Sequence, residues 1–191
     1  LFKSLPFPLH LLVAKITPIL WQVGLKEYQK DRLILFLDPN RDPLGGGYHL
    51  LQSKIAIGSG GLLGTGLLRG KLTNLQFIPE QHTDFIFSAL GEELGFLGCV
   101  IVLFLFFVLI KQLITIAKNA RTNFESLIVI GIASTFLFQI IINLFMTIGL
   151  GPVTGIPLPF MSYGRTSLLI NFISIGFVLS IYKRSRSLKN S

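Results

Sequence analysis

Charge is scarce in this chain. Asp, Glu, Lys and Arg make up 14% of its 191 residues, well below the roughly 25% of typical soluble domains. Apolar residues reach 51%, with 17 Phe, and the mean hydropathy is +0.67. An ordinary water-soluble domain is thereby excluded, and a membrane protein is expected. Cysteine occurs once, as Cys99 inside an apolar run, so there is no disulfide framework and no cysteine-based metal spacing. The thiol is expected to pack as a small hydrophobe. Leu1 to Pro8 lack the small-residue cleavage site of a signal peptide, and a start on Leu1 leaves open that the sequence is a fragment.

Acidic residues are the scarcer sign, 9 against 17 Lys and Arg, giving a net charge of +8. Such a balance suits nucleic acid in principle, but the placement argues against it. Lys111, Lys118 and Arg121 separate two apolar runs, and Lys183, Arg184, Arg186 and Lys189 follow the last one. That is the pattern of loops retained on the cytoplasmic side of a membrane, where the basic tail also meets anionic lipid headgroups. No basic patch with interleaved aromatics is present, so no nucleic-acid partner is expected.

The apolar runs predict an all-α, multi-pass membrane protein with about four transmembrane helices and a long extracytoplasmic loop. Phe85–Ile110, Leu127–Leu150 and Ser167–Tyr182 are the clear spans. The second, at 24 residues, makes roughly 36 Å of helix and crosses a core of about 30 Å with some tilt. A weaker span at Pro8–Leu25 carries Lys15 and Pro18. The expected organisation is a divergent N-terminal segment with a candidate span at 1–25, an extracytoplasmic loop at 26–84, a three-helix membrane region at 85–182 and a basic cytoplasmic tail at 183–191. Residues 151–165 then also lie on the outer face.

The outer loop 26–84 is nearly balanced in charge and rich in glycine, including Gly45-Gly46-Gly47 and Gly58-Ser59-Gly60-Gly61. Gly64-Thr65-Gly66 lacks the strand–helix context of a dinucleotide site. Leu50–Ile57 is apolar enough to lie on the membrane surface or re-enter it, where non-helical backbone is tolerated only against protein or a wet cavity. The stretch 149–159 holds three prolines, which exclude a continuous helix. Two such interrupted segments on one face predict a shared outward cavity.

Glu80, His82, Thr83 and Asp84 cluster at the mouth of the first clear span. Ionisable groups at that depth are costly and usually functional; the alternative is that Thr83 or Asp84 simply caps the helix. Glu92 and Glu93 sit roughly 12–14 Å further along a helix, and at least one is expected to meet a cavity or a polar partner. Gln139 and Asn143 share one helix face and are expected to hydrogen-bond between helices.

In sequence order, the blocks Tyr28-Gln29-Lys30-Asp31-Arg32, Phe36-Leu37-Asp38-Pro39 with Asp42-Pro43-Leu44-Gly45, Gly47-Tyr48-His49, Gln52-Ser53-Lys54-Ile55-Ala56-Ile57-Gly58-Ser59-Gly60-Gly61, Pro79 to Phe87, Glu92-Glu93-Leu94-Gly95, Pro152-Val153-Thr154-Gly155-Ile156-Pro157-Leu158-Pro159 and Ser162-Tyr163-Gly164 resemble the C-terminal part of the SEDS proteins (shape, elongation, division and sporulation), on their RodA-like branch. The resemblance spans residues 26 to 182. It implies part of a fold with roughly ten spans, in the cytoplasmic membrane, and a peptidoglycan glycosyltransferase that polymerises lipid II on the outer face during elongation, with a class B penicillin-binding protein as partner.

By the same resemblance Asp84 is the essential acid, acting as general base on the acceptor hydroxyl, a role worth about 10²–10⁴-fold. One such base suffices for inversion at the anomeric carbon. His82 is expected to orient Asp84 or the acceptor, with a loop-structuring role as the alternative. Glu80 either tunes the base by like-charge repulsion or is simply solvated. Lys54, Arg41 and Arg165 are candidate pyrophosphate contacts, and Gln52, Thr83 and Ser162 complete the expected substrate contacts. Arg165 stands where the family usually has a second glycine. No cofactor is evident; a divalent cation bridging the pyrophosphate stays open. Two rival readings share these residues: a transporter (flippase) of the lipid-linked precursor, and a truncated, non-catalytic membrane scaffold.

Overall fold

The computed structural model of the chain describes residues 26–38, 46–67, 69–70 and 83–187. The candidate span at Pro8–Leu25 and the candidate contacts Arg41, Glu80 and His82 lie outside the described residues. Within them the chain is all helical: α1 Glu27–Leu37, α2 Gly46–Ser59, α3 Ile86–Lys118, α4 Asn123–Ile148 and α5 Arg165–Ser187. Helices α3, α4 and α5 are long and apolar enough to cross a membrane, and they fall where the apolar runs predicted three spans.

The boundaries shift in an instructive way. Helix α3 runs on past the apolar stretch to Lys118, so Lys111 and Lys118 ride on its last turns instead of in a loop. Nothing in 111–118 breaks a helix, and Asn119 finishes it by donating its side-chain amide to the Thr115 carbonyl at 2.8 Å. After a short turn α4 begins on Thr122, whose Oγ1 accepts the Glu125 amide at 3.2 Å, half of a capping box. Glu125 in turn meets Arg184 of α5 at 3.6 Å. Below this end Leu113, Ala117, Val129, Ala133, Phe136 and Val178 form one buried cluster across the three helices.

At the other end α4 closes on Gly149 in the left-handed region (φ 75°), with Leu150 N–H reaching back to the Phe145 carbonyl at 2.8 Å. This is a glycine C-cap of the Schellman kind. The proline-rich segment beyond it is non-helical, as the three prolines require. Its turn at 158–162 puts Phe160 at φ 62°, a conformation that costs a non-glycine residue about 1–2 kcal/mol. The Phe160 ring is held edge-on between Phe136 and Phe172, with centroids 5.4 and 5.7 Å away.

The segment expected to lie on or re-enter the membrane is helical. In α2, Leu50, Ser53 and Ala56 are buried, one residue per turn facing α3 and α4. Ser53 Oγ shares a hydrogen bond with Ser88 Oγ of α3 and donates to the Thr147 carbonyl of α4 at 2.8 Å. A helix keeps its own backbone bonds, so α2 needs only small polar side chains to sit at this junction.

Helix α3 is broken at Gly95 (φ 67°, ψ −166°). In a straight helix Phe96 N–H would reach Glu92 O, and Leu97 N–H would reach Glu93 O. Here all four groups turn to the glycine-rich strap after α2. Phe96 N–H donates to Gly61 O at 2.9 Å and Leu97 N–H to Leu62 O at 3.1 Å; Glu92 O accepts from Thr65 N–H and Glu93 O from Gly66 N–H, both at 3.0 Å. Thr65 Oγ1 adds a second bond to Glu92 O at 3.0 Å. The kink therefore leaves none of these four groups unpaired, which apolar surroundings would penalise by several kcal/mol each.

Candidate active site

Asp84 lies in the 83–85 turn just before α3. The helix takes Phe85 as its N-cap with no side-chain cap bond, so neither Thr83 nor Asp84 serves as the cap that local pattern allowed. The turn is fixed by its neighbours instead. Phe85 is 2% exposed and packs with Ala56 of α2, Met146 of α4 and Val153. Asn143, fully buried in α4, donates its amide to the Asp84 carbonyl at 2.9 Å and to the Ile156 carbonyl at 2.8 Å. The expected helix-to-helix bond of Asn143 is thus a tie between α4 and two turns.

With the backbone held on both sides, the half-buried Asp84 side chain is directed at Gly155. A methyl group at Gly155 would lie 3.3 Å from Asp84 Oδ2 and 3.9 Å from both Nη atoms of Arg32. Arg32, an exposed residue of α1, donates Nη1 to the Thr154 carbonyl at 2.6 Å. The Thr154 amide is itself turned to Met146 Sδ at 3.3 Å. Acid, guanidinium and a glycine at φ 74° thus meet at one place, contributed by three separate stretches of chain.

The other expected contacts fall as follows. Lys54 of α2 lays Cε and Nζ on Gly149, where the carbonyls of α4 run out, a favourable place for a cation. Ser162, 3% exposed, accepts the Leu158 amide on its Oγ at 2.7 Å and so ties the 158–162 turn. Gln52 and Thr83 are half-buried, and Arg165 is exposed at the first residue of α5. Glu92 is 1% exposed, while Glu93 is half-buried. Among the described residues no group of three His, Cys, Asp or Glu side chains converges as a metal site would require. Arg32 went unassigned in the sequence because its contact spans 122 residues; only its membership of the Tyr28 to Arg32 block singled it out.

Three helices long and apolar enough to cross a membrane, the first of them broken at Gly95, define a polytopic helical membrane protein, with the candidate site at one end of the bundle. The chain belongs to the FtsW–RodA–SpoVE family of cell cycle proteins, which matches residues 4–187. It is 45% identical over 180 residues to the peptidoglycan glycosyltransferase MrdB of Escherichia coli K12, covering 94% of this chain and 49% of that protein. It is 47% identical over 160 residues to the peptidoglycan glycosyltransferase RodA of Treponema pallidum, covering 84% of this chain and 37% of that one. Stage V sporulation protein E of Bacillus subtilis is 43% identical over 159 residues, 83% of this chain and 43% of its own length. The chain thus spans about half the length, or less, of these relatives. A solved structure, described as showing the structural coordination of polymerization and crosslinking by a peptidoglycan synthase complex, matches with a TM-score of 0.69 at 33% identity, over 96% of this chain and 51% of the solved one.

Proposed function

We propose that this chain carries the catalytic half of a peptidoglycan glycosyltransferase that extends glycan strands from lipid II during elongation, with Asp84 as general base. The observation that supports it best is the convergence of Asp84 Oδ2 with Arg32 at Gly155, on a backbone held by Asn143, in a chain whose relatives bear that activity by name. In the proposed step the acceptor hydroxyl oxygen bonds to the anomeric carbon of the donor while its proton passes to the Asp84 carboxylate. The anomeric C–O bond breaks with its electron pair remaining on the lipid diphosphate. The leaving group is already good, so the acid side needs no second carboxyl group, and one positioned base carries the proton transfer.

In this reading the Asp84 end of the bundle faces outward. The ends carrying Lys118, Arg121, Arg184 and Arg186 then face the cytoplasm, in keeping with the placement of basic residues. Because the solved relative comes from a complex that couples polymerization to crosslinking, the partner we propose is a crosslinking enzyme of the class B penicillin-binding type. The test is Asp84→Asn in the full-length protein, reconstituted with that partner and supplied with lipid II. Glycan polymer should fall to background with expression and partner binding intact, and polymer made at the normal rate would remove Asp84 from the chemistry.

A further inference from the structure

We propose that Arg32 is a phosphate-binding residue of this site, gripping the diphosphate of a lipid-linked sugar donor beside the Asp84 carboxylate. The inference rests on the glycosyltransferase reading and adds to it the residue that meets the leaving group. A guanidinium offers five N–H donors in a rigid fork matched to phosphate oxygens. Here the Thr154 carbonyl engages Nη1 at 2.6 Å, which fixes the plane of the fork and leaves the other donors for a ligand. Arg32 is exposed, so those donors are reachable.

The neighbourhood gives the fork its purpose. A general base and a departing diphosphate are both anionic, and a site that holds them side by side needs a cation between them. Gly155 supplies the room: without a side chain there, Asp84 Oδ2 and both Arg32 Nη atoms border the same space. Among the described residues, two other basic side chains are engaged elsewhere. Lys30 pairs with Glu27 at 2.9 Å, and Lys54 rests on the C-terminal cap of α4. The Arg32 fork holds the diphosphate alike before and during the reaction, so its contribution is to donor binding. As the anomeric C–O bond breaks, its electron pair stays on the phosphate oxygen and the acceptor's proton goes to Asp84.

Two measurements on the full-length protein in liposomes test this. In polymerisation, Arg32→Gln should raise the KM for the lipid-linked donor about tenfold or more, with kcat changed less, and Arg32→Lys should recover part of the loss as a point charge without the fork. In an Asp84→Asn background, titration with a polyprenyl diphosphate in neutral phosphatidylcholine vesicles should show the same loss for Arg32→Gln, and added phosphatidylglycerol should not compete. Unchanged diphosphate affinity, a fall in kcat alone, or equal competition by phosphatidylglycerol would overturn the assignment. The first two outcomes would leave Arg32 as a brace for the Thr154 turn, and the third would make it a lipid headgroup contact. If Asp84→Asn still polymerises, the base assignment falls, and the titration still decides the role of Arg32.

Discussion

The side-chain amide of Asn143 joins the Asp84 carbonyl, at 2.9 Å, to the Ile156 carbonyl, at 2.8 Å. One buried residue of α4 thereby sets the distance between the turn that bears the acid and the turn that faces it. Asn143→Ala strands two carbonyls in an interior site, at about 1–3 kcal/mol each. Asn143→Asp replaces the donor with an acceptor aimed at the same two oxygens and should cost more than the alanine. Thermal unfolding in detergent should rank the three proteins wild type, alanine, aspartate. Polymerisation should fall further than the stability loss accounts for, because the two turns lose their common anchor.

The strap after α2 makes a second prediction. A methyl at Gly60 would overlap the Gly91 carbonyl, and one at Gly64 would overlap the Glu93 carbonyl. Both obstacles are backbone, so neither can swing away. Gly60→Ala and Gly64→Ala should each cost about 3 kcal/mol, the upper range for overpacking, and should release the strap from the kink. Gly131→Ala, in α4 with nothing within 4 Å of the added methyl, is the matched control and should gain about 0.5–1 kcal/mol from helix propensity. Hydrogen exchange at the Thr65 and Gly66 amides should rise in the first two variants and stay unchanged in the third.

How far the sequence could be read follows from the range of the interactions. The three long helices were legible because a membrane span writes itself in some twenty consecutive residues. The break at 149–159 was legible because proline acts locally. Helix α2 was not, since Gly46-Gly47 at its start and Gly58 near its end look like loop, and its helical state depends on burying Leu50, Ser53 and Ala56 against α3 and α4. The kink at Gly95 was equally hidden: its four displaced groups are satisfied by residues 61–66, some thirty positions away in sequence. Asp84 could be singled out from the motif it sits in, whereas Arg32 could not be told from Lys30 until the chain was folded, because the Thr154 carbonyl that orients it belongs to another turn.

Phe160 yields a prediction that inverts the usual order of substitutions. Its ring contacts Phe136 and Phe172 edge-on, and its backbone sits at φ 62°. Phe160→Ala loses the ring, about 3 kcal/mol for a large-to-small change at a half-buried site, and keeps the unfavourable φ. Phe160→Gly loses the same ring but relieves about 1 kcal/mol of backbone strain. The glycine variant should therefore melt at a higher temperature than the alanine variant. The reverse order would mean that the turn relaxes once the ring is gone.

Gly155 is the residue at which backbone conformation and the proposed chemistry are hardest to separate, and two substitutions elsewhere separate them. At φ 74° any L side chain is strained, by about 1–2 kcal/mol, and a methyl there would stand 3.3 Å from Asp84 Oδ2. Gly155→Ala should thus lose stability modestly and turnover heavily, since the methyl enters the space shared by the acid and Arg32. Gly149→Ala carries similar strain at φ 75°, but its methyl displaces the flexible end of Lys54 at the C-terminus of α4. It should lose comparable stability with a smaller fall in turnover. Gly61→Ala, at φ 55° with open space around the methyl, reports the strain alone. If all three variants lose turnover only in proportion to stability, the space at Gly155 has no part in the reaction, and the polymerising site must be sought away from the Asp84 turn.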